Sequence, residues 1–118
     1  MLVEQASRVS ALPRVDAIGA AFTLVVTDGA SPGRRVAIGA APMVIGRGVG
    51  VDLQIHDPTV SRHHCVVWCI AGRCWVRDLG SKNQTRVNNR WSLVTEIVAG
   101  DVLVVGQTTL TLTRSSAP

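Results

Sequence analysis

The sequence holds no apolar run near the roughly 18 to 20 residues of a membrane-spanning helix, so no membrane partner is expected. Its N-terminus, MLVEQASRVS, has no basic stretch leading into an apolar one, and no secretory signal is expected there. Cysteine is scarce and odd in number, with three in the chain. That excludes a disulfide framework as the basis of the fold and favours a reducing, cytoplasmic setting. Charged residues are sparse at 17%, while 47% of the chain is hydrophobic, which excludes a disordered chain and fits a globular one. Lysine is nearly absent: Lys82 is the only one among twelve basic residues, and the other eleven are Arg. Arginine's planar fork suits bidentate pairing with phosphate or carboxylate, whereas lysine is a point charge. The formal net charge of +4 admits nucleic acid, acidic protein surfaces or phosphorylated peptide as partner, and selects none of them. With 118 residues the chain suits one domain and is too short for an enzyme with a separate cofactor module.

Helical periodicity is missing as well. No window of about 11 residues keeps an apolar face at i, i+3, i+4, i+7. Instead Val, Ile and Thr dominate short runs cut by turn formers. Strands are expected at Phe22 to Thr27, Arg35 to Ile38, Met43 to Ile45, Leu53 to Ile55, Cys65 to Ile70, Arg73 to Leu79, around Val87, within Ser92 to Val98, at Val102 to Val105 and at Thr108 to Thr113. Many short strands with frequent turn signals point to an all-β antiparallel sandwich or barrel. Met1 to Ala20 has no clean period and reads as an N-terminal tail, and Arg114 to Pro118 as a frayed end.

One hairpin can be read to the residue. A two-residue loop at Ala71-Gly72 pairs Ile70 with Arg73. Cys69 then opposes Cys74, Trp68 opposes Trp75, and Val67 opposes Val76. Alternation puts Cys65, Val67, Cys69, Cys74 and Val76 on one face, expected to be core, and Trp68, Ile70, Trp75 and Arg77 on the other. The cysteines are read as small buried residues rather than zinc ligands, since their spacing is not that of a C-x2-4-C pair. Cys69 and Cys74 are placed to form a cross-strand disulfide under oxidation. The Trp68–Trp75 face is a candidate surface for another protein or a second copy of the chain, unless the N-terminal tail or Trp91 covers it.

Three loops hold nearly all the functional groups. The first, Ile45-Gly46-Arg47-Gly48-Val49-Gly50, lacks the Gly-Lys-Ser/Thr of a P-loop and opens no helix, so it is neither a P-loop nor a dinucleotide fingerprint. The second, Asp57-Pro58-Thr59-Val60-Ser61-Arg62-His63-His64, offers a hydroxyl, a forked cation and two imidazoles. The third is Asp78-Leu79-Gly80-Ser81-Lys82-Asn83-Gln84-Thr85, rich in turn formers. A cation, a hydroxyl, an amide and loop N–H groups could converge on one oxyanion. Ser61, His64 and Asp78 do not read as a hydrolase triad, because no Gly-x-Ser-x-Gly elbow or strand-to-helix turn presents the serine. His64 reads as a hydrogen-bonded brace, and His56 and His63 as solvated.

In order and spacing, these segments resemble the forkhead-associated (FHA) domain. The matching pieces are Gly46-Arg47, Ser61-Arg62-x-His64, Asp78-Leu79-Gly80-Ser81-x-Asn83-x-Thr85 leading to Val87-Asn88, and the closing Ala99-Gly100-Asp101-Val102-Leu103-x-Val105-Gly106. The resemblance covers about Phe22 to Thr113, and a domain spanning 21–113. It implies an eleven-stranded antiparallel β-sandwich, with no enzymatic activity and no cofactor, that binds phosphothreonine peptides through loops at one end. It implies that Arg47 contacts the phosphate, Ser61 donates to it, Arg62 sits beside it, and Lys82 takes a position that often touches it. Asn83 would hold the peptide main chain, while Gly46 and His64 brace the loops. The implied partner is a protein phosphorylated by a Ser/Thr kinase, or that kinase. Two departures stand out. Gln84 replaces the usual Gly, which costs roughly 1 kcal/mol if φ must be positive. Lys82 adds charge where a hydroxyl is usual. The alternative reading is a nucleic-acid-binding β-barrel that stacks bases on Trp68 and Trp75 between Arg73 and Arg77.

Overall fold

A computed structural model describes residues 22–115. The expected tail at 1–20 and the last three residues lie outside this range. Eleven strands follow in order: β1 Phe22–Asp28, β2 Arg35–Ile38, β3 Met43–Gly46, β4 Leu53–Gln54, β5 Cys65–Ile70, β6 Arg73–Asp78, β7 Thr85–Val87, β8 Arg90–Trp91, β9 Val94–Ile97, β10 Val102–Val105 and β11 Thr108–Arg114. They form two sheets, ordered β2-β1-β11-β10-β7-β8 and β4-β3-β5-β6-β9. No helix among the described residues is long and apolar enough to cross a membrane.

The alternation read from the sequence is what closes the sandwich. Along β1, Phe22, Leu24 and Val26 point inward, and along β11 Thr108, Leu110 and Leu112 do the same. Across the gap, Ile45, Cys65, Val67, Cys74, Val76 and Ile97 complete one apolar core. A strand with a single buried face specifies its register, because a one-residue slip would turn every core side chain to water.

The β5–β6 hairpin has the expected register, with Ile70 opposite Arg73, Trp68 opposite Trp75 and Cys69 opposite Cys74. Ala71 and Gly72 take φ of 53° and 77°, the double positive φ of a type I′ turn. Cys69 and Cys74 are joined in a disulfide across a Cα–Cα gap of 4.0 Å, whereas Cys65 is free and buried. The scarcity of cysteine had argued for reduced side chains. Direct opposition across the hairpin, which composition does not register, brings the two together. Burial pushes the Cys65 thiol up to about 12, against a hydrogen bond with Thr85, so it packs as an inert core residue.

Three features differ from the sequence expectation. β8 is a strand of its own, closed onto β7 by Asn88-Asn89 at φ 50° and 69°, with Val87 opposite Arg90. β3 and β4 run parallel, pairing Ile45 with Leu53, although the sheet is otherwise antiparallel. β11 continues to Arg114, which pairs with Phe22, one residue into the expected frayed end.

Candidate functional site

The three loops singled out in the sequence meet at one end of the sandwich. Two backbone bonds zip the β3–β4 loop to the β4–β5 loop: Arg47 N donates to Ser61 O at 2.9 Å, and Gly48 N to Arg62 O at 3.1 Å. The approach is so close that a Cβ on Gly46 would lie 2.0 Å from the Arg62 carbonyl oxygen. Only glycine fits there, for reasons of space rather than backbone angle.

His64 joins all three loops and is fully buried. Its Nδ1 accepts from Ser61 N at 3.1 Å, and its Nε2 lies 2.9 Å from Gln84 O. An acceptor at Nδ1 and a donor at Nε2 define one neutral tautomer. The His64 backbone also bonds Ile45 O and receives Leu79 N. The Ser61 hydroxyl and the imidazole are therefore not in relay, because His64 holds the serine's backbone and not its Oγ.

Two buried carboxylates complete the frame. Asp78 accepts from Ser81 N, Ser81 Oγ and Thr85 Oγ1, which shapes the β6–β7 loop. Asp57 accepts from Thr59 N and Oγ1 and from Gln107 N and Thr108 Oγ1, tying the β4–β5 loop to the β10–β11 turn. Burial alone would raise both carboxyls. The hydroxyl and amide donors outweigh it, led by Thr59 for Asp57 and Ser81 for Asp78, and hold both below the ordinary 3.8. A lowered carboxyl contributes stability that is fully present above its unfolded value and is lost as pH falls through its folded value. Thermal midpoints should stay flat from pH 7 to about 5 and fall steeply below about pH 4. Asp78→Asn should flatten part of that acid limb, and an unchanged limb would mean Asp78 does not carry it.

Gln84 has φ of 67°, so the loop keeps its turn and bears the strain of a non-glycine residue. Its side chain is exposed and only its carbonyl is used, by His64. Gln84→Gly should therefore stabilise the fold by about 0.5 to 1 kcal/mol, since relief of strain exceeds the entropy glycine adds to the unfolded chain. A rise of a few degrees in the thermal midpoint checks this; a fall would show that the turn carries no strain.

On this frame Arg47, Ser61, Lys82 and Asn83 line one shallow depression of about 280 Å3, together with Pro58, Thr59 and Val60. Arg47 Nε donates to Val60 O at 2.9 Å, which fixes the guanidinium and leaves both terminal nitrogens without an acceptor among the described residues. Ser61 Oγ accepts from Lys82 N at 2.9 Å and keeps its own proton to donate. Asn83 Nδ2 donates to Thr59 O at 2.8 Å, which directs its amide and frees Oδ1. Arg62 is not part of this depression. It lines a neighbouring hollow with Gly48, Val49 and His63, and Arg47 forms the wall between the two. His56 and His63 are exposed, as expected.

Residues 43–106 match the FHA domain. The chain belongs to the FHA family. It is 32% identical over 108 residues to the FHA domain-containing protein FhaB of Mycolicibacterium smegmatis, covering 91% of this chain and 70% of that one. It is 31% identical over 94 residues to the FhaB of Mycobacterium tuberculosis (strain CDC 1551 / Oshkosh), covering 79% of this chain and 61% of that protein. Among solved structures, it resembles an FHA domain from a structural and functional analysis of phosphothreonine-dependent FHA domain interactions. The TM-score is 0.71 at 27% identity, over 81% of this chain and 98% of that one. The FHA fold thus accounts for both sheets and for the loop cluster at one end.

Trp68 and Trp75 lie half-buried on the outer face of the five-stranded sheet, not on the FHA loops. Arg73 stacks over Trp75 at 5.2 Å and is held bidentately by Glu96 at 2.8 and 3.0 Å. A nucleic-acid face would need that guanidinium for phosphate, and here a carboxylate neutralises it. Trp91, the other candidate cover for this face, belongs to β8 in the opposite sheet and is half exposed.

Proposed function

We propose that the chain is a phosphothreonine reader, an adaptor that recruits a protein phosphorylated by a Ser/Thr kinase, or that kinase. One observation carries this: Arg47, Ser61, Lys82 and Asn83 surround a single depression with two unpaired cations, a free hydroxyl donor and an oriented amide. A phosphothreonine brings about −1.5 to −2 charge and three acceptor oxygens to such a place. Charge-assisted hydrogen bonds contribute roughly 1.5 to 3 kcal/mol each. Micromolar affinity requires about −8 kcal/mol, so two or three of them with main-chain contacts from Asn83 suffice, and no deep apolar pocket is needed.

The test is titration with a degenerate phosphothreonine peptide library, followed by NMR, beside the same peptides unphosphorylated. Shifts should cluster at the three loops and require the phosphate. Ser61→Ala should weaken binding about tenfold while one cooperative thermal transition remains. Equal binding of unphosphorylated peptide would reject the reading. Tight binding to polynucleotide with a steep salt dependence would favour the nucleic-acid alternative instead.

A further inference from the structure

The hollow on the far side of Arg47 is lined by Arg47, Gly48, Val49, Arg62 and His63, and measures about 430 Å3. No acidic side chain lines it, and Arg62 is exposed with no carboxylate partner among the described residues. Its backbone is held in place nonetheless. The Gly48 N bond to Arg62 O and the tight seat of Gly46 against the Arg62 carbonyl set the Arg62 backbone directly beside the Arg47 loop. At its rim Val49 is 94% exposed, a large apolar side chain that the fold leaves uncovered. The cations thus form two groups on either side of one wall: Arg47 with Lys82, and Arg47 with Arg62. A single phosphate held between Ser61, Lys82 and Asn83 occupies the first group only. A basic hollow beside it, with an apolar rim and with the Arg62 backbone held against the Arg47 loop, offers a second anionic group a place.

We propose that the preferred ligand is a peptide with a second anion, phosphoryl or carboxylate, a short distance from the phosphothreonine, and that Arg62 selects it. This rests on the phosphothreonine reading above. Hollows that share a wall are spanned by about two or three residues of extended peptide at ~3.4 Å each. A phosphoryl group would gain more than a carboxylate, because it carries more charge and offers more acceptors to the guanidinium fork. The site thereby favours sequences that are multiply phosphorylated or acidic on one side.

The experiment uses the full chain and a phosphothreonine peptide with neutral flanks. Asp or phosphoserine is then placed singly at each of the four positions on either side, at fixed ionic strength. The readout is the ratio of each peptide's affinity to that of the neutral-flank peptide. In the wild type the ratio should reach about threefold for Asp and about tenfold for phosphoserine, at one or two positions on one side. In Arg62→Gln it should fall to about one for both, and Arg62→Lys should keep the Asp gain but lose most of the phosphoserine gain. Thermal melting of each variant establishes that it is folded. Gains that are equal at every position, that persist in Arg62→Gln, or that are absent from the wild type would overturn the proposal. If only phosphoserine gives the gain, the second anion is a phosphoryl group; if Asp matches it, acidity alone is read. A wild type that fails to bind the neutral-flank phosphopeptide, yet stays folded, would remove the phosphothreonine reading and this inference with it.

Discussion

Arg47→Ala is expected to weaken phosphothreonine-peptide binding by about 2 to 4 kcal/mol, a loss of roughly 30- to 1000-fold. Arg47 stands on the wall of the depression with its Nε tied to Val60 O and its terminal nitrogens free. The orientation of the fork is thus set before the phosphate arrives, and less side-chain entropy is lost on binding. Removing it takes away a bidentate pair and leaves the dianion facing only Lys82, which is exposed and not fixed in orientation. Arg47→Lys should recover charge but neither the Val60 bond nor the planar fork, and should fall between wild type and alanine. Calorimetric titration of one phosphopeptide against the three proteins measures this. Because Arg47 is exposed, the thermal midpoint of Arg47→Ala should shift little. An unchanged dissociation constant would take Arg47 out of the site.

His64→Ala should cost the fold at least about 3 kcal/mol and should abolish detectable phosphopeptide binding at the same time. The imidazole is fully buried and bridges Ser61 N to Gln84 O. Alanine would leave a part-buried donor and a part-buried acceptor without partners, at about 1 kcal/mol each, and would add a cavity where the buried ring stood. The consequence for binding is indirect. Ser61 and the loop carrying Lys82 and Asn83 hold their relative positions through this ring, the Ser61 Oγ bond to Lys82 N and the Asn83 Nδ2 bond to Thr59 O. Denaturant unfolding gives the stability term. His64→Asn or His64→Gln separates the two roles, since an amide can supply one donor and one acceptor and should restore part of both quantities. A folded His64→Ala with wild-type affinity would show that the loops are positioned without it.

The resemblance to FHA domains was legible because its residues are constrained by different kinds of necessity. Gly46 is required by a carbonyl that leaves no room for a Cβ, His64 by two loops that need one donor and one acceptor, and Asp78 by a turn of hydroxyls and amides. Each leaves a residue type at a fixed spacing. The Ala71-Gly72 hairpin was legible for a similar reason, since a two-residue loop sets every cross-strand pair that follows. β8 was missed although Asn88-Asn89 is an equally good type I′ turn, because Arg90–Trp91 is too short to show alternation. The parallel pairing of β3 with β4 left no trace, because the two residues of β4 have no pattern that depends on strand direction.

What the sequence determined by itself is the class of fold, the core faces of its longer strands and the identity of the residues gathered at one end. Alternation and turn chemistry are local, and local patterns survive in a linear string. The tertiary structure alone decided how those residues divide. Arg47, Ser61, Lys82 and Asn83 share one depression, whereas Arg62, next to Ser61 in the chain, turns into another hollow with Val49 and His63. It likewise decided that Arg73, on β6, is held by Glu96 of the neighbouring strand β9. These outcomes depend on which surfaces separate loops bring within hydrogen-bond distance. That is set by which strands pair and which loops they carry side by side, and no stretch of neighbouring residues encodes it alone.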